Sequence, residues 1–124
     1  MVVGVLQIEL AIHGAESLKD KRRVVRSLKD RLHREHQVSV AEVASLDSLT
    51  TAQLGVTCAG AEGQRVGEVL DKVSDKLRKT TEAEVVSVRR RVGHVDTVAP
   101  EAPIAKLDTD ALAAEMLARA GDAS

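Results

Sequence analysis

The chain has 124 residues with 18 Lys or Arg, 19 Asp or Glu and a formal net charge of −1, enough for one domain and hardly for two. It has no Phe, Tyr or Trp, which excludes an RNA-recognition sheet built on aromatic stacking platforms and leaves Val, Leu, Ile, Ala and Met to build the core. The single cysteine, Cys58, excludes an internal disulfide and a thiolate zinc cluster, and no run approaches the ~18 consecutive apolar residues of a membrane helix.

Residues 2–12 alternate Leu6, Ile8, Leu10 and Ile12 with Gln7, Glu9 and Ala11, which predicts a strand. The loop His13-Gly14-Ala15-Glu16 leads to Ser17, expected to cap a helix, with Asp20 in the reciprocal capping position. Val24, Val25, Leu28 and Leu32 give that helix an apolar face to about Glu35. Residues 38–43 read as a second strand and 45–48 as a turn. Residues 50–59 read as a third strand, with Ala52, Leu54, Val56 and Cys58 on one face. Cys58 is expected to be a buried, inert thiol.

Val66, Val69, Leu70, Val73 and Leu77 then form an amphipathic stripe, in a helix that Gly67 weakens by roughly 1 kcal/mol against Ala. Residues 84–92 read as a fourth strand with Val86, Val88 and Val92 facing inward. The expected core is Leu6, Ile8, Leu10, Val25, Leu28, Leu32, Leu54, Val56, Val69, Leu70, Val73, Val86 and Val88.

This order predicts an α+β, ferredoxin-like βαββαβ domain over residues 1–98. A four-stranded antiparallel sheet carries both helices on one face, with the first and third strands central. Its outer face is expected to present Val5, Gln7, Glu9, Thr51, Gln53, Thr57, Val85, Ser87, Arg89 and Arg91. The only prolines, Pro100 and Pro103, mark residues 99–124 as a linker and acidic tail with a possible short helix over 108–120. The tail has a net charge of −3, against +2 for residues 1–98, so the basic first helix is one plausible dock for it.

The segment His13-Gly14-Ala15-Glu16-Ser17-Leu18-Lys19-Asp20-Lys21-Arg22-Arg23, with Val40-Ala41-Glu42-Val43, Leu54-Gly55-Val56 and Glu68-Val69-Leu70-Asp71-Lys72-Val73, resembles the YlxP-like family of small bacterial proteins. The resemblance covers about residues 1–92. It implies a ferredoxin-like fold. It also implies an RNA or ribosome setting, because genes of that family often sit beside genes for translation initiation and ribosome maturation. An aromatic residue that members often carry near the hairpin into the third strand is absent from Asp47-Ser48-Leu49-Thr50-Thr51.

Residues 17–36 carry eight Lys or Arg against Asp20, Asp30 and Glu35. Arg22, Arg26, Lys29 and His33 share one helix edge, and Lys19, Arg23 and Arg34 the next. Like charges at i, i+4 cost about 0.2–0.5 kcal/mol per pair, and cations near a helix N-terminus about 0.3–1 kcal/mol each. Such an uncompensated arrangement points to a polyanion site at Lys19, Arg22, Arg23, Arg26, Lys29 and His33, with a solvated helix face as the alternative. Arg89 and Arg91 form a secondary candidate; cross-strand pairing with Glu9 or burial in a homo-oligomer are the alternatives.

The four His residues are too scattered for a metal site, and no cofactor motif is present. Ser17 has no nearby base, and an acylphosphatase-type enzyme would need an Asn, which the chain lacks. The expectation is therefore a non-catalytic cytoplasmic accessory protein that binds RNA or the ribosome. A small-molecule module resembling an ACT domain, or a protein-protein interaction module, stands as the alternative. The cytoplasmic assignment rests on a start without the basic and small-residue marks of a signal peptide.

Overall fold

The computed structural model describes residues 1–95 and 116–117. Its elements are β1 (Val2–Ile12), α1 (Leu18–His36), β2 (Ser39–Ala44), β3 (Thr51–Gly60), α2 (Gly63–Lys79) and β4 (Ala83–His94). The strands form one antiparallel sheet in the order β2-β3-β1-β4. This is the ferredoxin-like arrangement, with the first and third strands central. The expected domain boundary at 98/99 and the expected tail lie outside the described residues, apart from Met116 and Leu117, which are helical and exposed.

Strict alternation in β1 buries Val2, Gly4, Leu6, Ile8, Leu10 and Ile12 on the helix side. The side chains of Leu6, Ile8, Leu10 and Ile12 meet Ala52, Leu54 and Val56 of β3 and the stripes of both helices. A Cβ at Gly4 would lie 2.5 Å from Val66 Cγ1 and 2.9 Å from Leu70 Cδ1, so α2 rests almost directly on the strand backbone. Of the expected core, Val69 and Val88 are half-buried at its margin. Val24, Val92 and Cys58 also pack against the core at half burial, so the Cys58 thiol is less enclosed than expected.

Val86 is a correction. The β1–β4 register shifts between Glu9 and Leu10: Glu9 faces Ser87, and Leu10 faces Val85. Val86 is the extra residue of this bulge. It is 60% exposed, while Val85 takes the inward position expected of it and packs against the core. Val85 accordingly leaves the outer face.

Ser17 caps α1, its hydroxyl accepting from the Asp20 N–H at 3.1 Å. The return arm differs from expectation: the Asp20 carboxylate accepts from the N–H of Glu16, one residue before the cap, at 3.3 Å. Across the helical layer, Lys76 of α2 reaches Glu35 of α1 at 2.6 Å. The hydrogen bond from Lys76 holds the Glu35 carboxyl below the usual carboxylate range, against the smaller opposing effect of desolvation.

Gly67 is buried, and the Arg90 guanidinium donates to its carbonyl at 3.0 Å. A Cβ at this position would lie 2.6 Å from Arg90 Nη2. Gly67→Ala is expected to gain about 1 kcal/mol of helix propensity and to lose a similar amount as Arg90 swings away. Its net effect in urea denaturation should stay under about 1 kcal/mol. In an Arg90→Ala background the same change should stabilise by about 1 kcal/mol, because no side chain remains to displace. Equal effects in both backgrounds would reject this account of the glycine.

Candidate functional site

The apolar stripe of α1 faces the sheet, which leaves its charged edges turned away from it. Lys19, Arg22, Arg23 and Arg26 are exposed and, with Asp20, line one shallow furrow along the first turns of α1. Arg23 is paired with Asp20 at 2.6 Å, and the same carboxylate completes the cap. Among the described residues, no carboxylate lies within ion-pair distance of Lys19, Arg22 or Arg26. The positive end of the helix dipole adds to their field.

Two expected site residues lie apart from this furrow. Lys29 is half-buried further along the helix. His33 directs Nδ1 to the Val38 carbonyl at 2.8 Å and so fastens the turn between α1 and β2. The secondary pair, Arg89 and Arg91, is exposed on the opposite side of the sheet from the helices, so it does not share a surface with α1. Glu9 accepts instead from Ser87 Oγ at 3.3 Å, and the cross-strand pairing considered for the two arginines is not formed.

Lys21, one of the cations counted at the start of the helix, is withdrawn from any interface. Its side chain has no exposed surface. Nζ lies 2.7 Å from Glu42 Oε2 and donates to the Ser45 carbonyl at 2.6 Å. It ties α1 to β2 and to the turn after it, where Ser45 has φ 60.

Sequence reasoning missed a second basic group in the helical layer. Arg31, Lys76 and Lys79 border a cleft of ≈ 290 Å³ between α1 and α2, floored by Leu28, Leu32 and Leu77. The basic last turn of α2, with Lys76, Arg78 and Lys79, was the signal available for it.

Another cleft, of ≈ 400 Å³, opens between the end of α1 and the start of α2, beside His36, Cys58 and Arg65. Burial pushes the Cys58 thiol up from its ordinary value, which keeps it protonated and weakly nucleophilic. Among the described residues no cluster of three His, Cys, Asp or Glu could hold a metal ion, and no helix is long and apolar enough to cross a membrane.

The family described as "Protein of unknown function (DUF503)" matches residues 3–90, which includes the furrow and the whole sheet to Arg90. No curated protein matches the chain. Among solved structures it is similar to a de novo designed protein with ferredoxin fold, determined by solution NMR. That similarity is 14% identity with a TM-score of 0.46, covering 86% of this chain and 96% of the designed one.

Proposed function

This chain belongs to the DUF503 family, whose function is unknown, and from that starting point we propose that it is a non-catalytic RNA-binding accessory protein. We place it with the YlxP-like members of the family, in the bacterial cytoplasm and in the setting of the ribosome. The observation that carries the reading is the furrow on α1, where Lys19, Arg22 and Arg26 stand exposed with no acidic partner among the described residues. Phosphates are the ligand that relieves three adjacent cations at the positive end of a helix.

With no Phe, Tyr or Trp in the protein, recognition runs through the backbone of the RNA rather than through bases stacked on such rings. Binding of this kind tolerates sequence and depends steeply on salt. Arg23, already held by Asp20, contributes to the field more than to direct contact.

Anisotropy of a labelled single-stranded RNA, titrated at several salt concentrations, tests this. Three phosphate contacts predict a log K against log[salt] slope of about −2. Changing Lys19, Arg22 and Arg26 together to Gln should bring the slope near zero and weaken binding. All three side chains are exposed, so the fold should survive the change. Unaltered affinity and slope in the triple variant would sink the proposal, as would no binding by the unaltered chain at about 50 mM salt.

A further inference from the structure

Both helices cover one side of the sheet, so its other side is open among the described residues. The outward positions of β2, β3 and β1 carry a single charged residue, Glu9, in a chain that is 30% charged. Small side chains such as Ala41 and Thr57 keep the surface flat, with Val3 and Val5 half-buried on its central strand β1. Val43 and Val86 project at its margins, 51% and 60% exposed. Depletion of charge at the centre of a patch is the compositional mark of protein interfaces.

The remaining charges of this face are divided along its length. Arg91 stands opposite Val5 and Arg89 opposite Gln7, while Ser87 faces Glu9 and Glu84 faces Ala11. The bases lie toward one end and the acids toward the other, and the change falls between the rows of Gln7 and Glu9. A surface with that distribution is complementary to itself when turned end over end.

We propose that this face binds a second copy of the chain, sheet against sheet, about a two-fold axis that crosses the strands between Gln7 and Glu9. The axis exchanges the row of Val5 with that of Ala11 and the row of Gln7 with that of Glu9. Arg91 of one copy then lies over Glu84 of the other, Arg89 comes within about one strand spacing, ~4.8 Å, of the position over Glu9, and the reverse contacts follow by symmetry. Val5 packs over Ala11 of the other copy.

The size of the face suits such a pair. β1 has 11 residues, about 37 Å at ~3.4 Å each, and four strands span about 19 Å. Allowing for the short β2, about 600 Å² is covered on each copy, about 1,200 Å² in all, the lower end of stable interfaces. A concentration-dependent dimer follows, not an obligate one. Pairing through the free edge of β4 is the competing arrangement, and the bulge at Val86 disfavours it by breaking the row of backbone groups there.

Sedimentation velocity of the full chain from about 1 μM to about 1 mM tests the proposal. The mass is expected to rise from 13.2 kDa toward twice that value. Val5→Glu should raise the dimer Kd at least about tenfold, and so should Arg91→Glu. Glu84→Arg added to Arg91→Glu restores the opposite charges and should recover association. Far-UV circular dichroism confirms that each variant is folded. If Val5→Glu does not fold, the Arg91 and Glu84 exchange decides alone. A 13.2 kDa species throughout, a dimer indifferent to these changes, or an exchange that fails to recover association overturns the arrangement.

Discussion

Replacing Lys21 by Ala is expected to destabilise the protein by about 3–5 kcal/mol, the cost of stranding one partner of a buried ion pair. The loss is large because two acceptors depend on one ammonium. The Glu42 carboxylate, 12% exposed, and the Ser45 carbonyl would both lose their charged neighbour. The pair is not irreplaceable. Lys21→Met with Glu42→Leu substitutes an apolar contact of similar volume and is expected to recover most of the loss. Urea denaturation of the single and double variants measures both quantities. A loss below about 1 kcal/mol for Lys21→Ala would show that water, and not the protein, solvates the pair.

Leu54→Ala is expected to cost about 2–5 kcal/mol. Leu54 has no exposed surface and lies on a central strand, opposite Ile8 on one side and Glu42 on the other. Rigid strands flank the resulting void, so little collapse can refill it. Val86→Ala provides the contrast. Val86 projects from the bulge of β4 into solvent, and its truncation should stay within about 0.5 kcal/mol. Comparable losses at the two positions would mean that the shift of register between β1 and β4 is misplaced.

The element order, the sheet order and most of the core were legible in the sequence, because apolar residues repeat at two in β1 and β3 and at helical spacing in α1 and α2. Val86 was misjudged for a definable reason. In Glu84–Val85–Val86–Ser87–Val88 strict alternation groups Val86 with Val88 and sends Val85 to the other face, and only the pairing with β1 shows that the phase changes at Val86. Lys21 was misjudged differently. It occupies the position one turn before Val25 and two before Leu28, so it opens the apolar stripe of α1. Glu42 holds an inward position of β2, next to Val40 on the same face. Two opposite charges on facing stripes were the available sign of a buried pair, but nothing short of their placement could tell it from two solvated ions. The same limit applied to the furrow: helical spacing put Arg22 and Arg26 on one edge of α1 and Lys19 and Arg23 on the next, and these four line one furrow, while the diversion of His33 to the Val38 carbonyl depends on the turn that follows α1.

The position of β1 between β3 and β4 has a consequence for how the chain acquires its structure. β1 leaves the ribosome before both strands it pairs with: Ile8 pairs with Leu54, and Glu9 with Ser87, whose side chains bond across a separation of 78 residues. Neither flank of β1 can be satisfied locally, and the nearby β2 never touches it in the sheet. The chain must therefore close two long loops before its most apolar strand is protected, and loop closure is the entropic term that slows folding in proteins of high contact order. Until β3 arrives, the sequence Val2-Val3-Gly4-Val5-Leu6 is an unpaired, nearly uncharged segment on the nascent chain. Synthesis, rather than the finished fold, is when this protein is most exposed to misassociation.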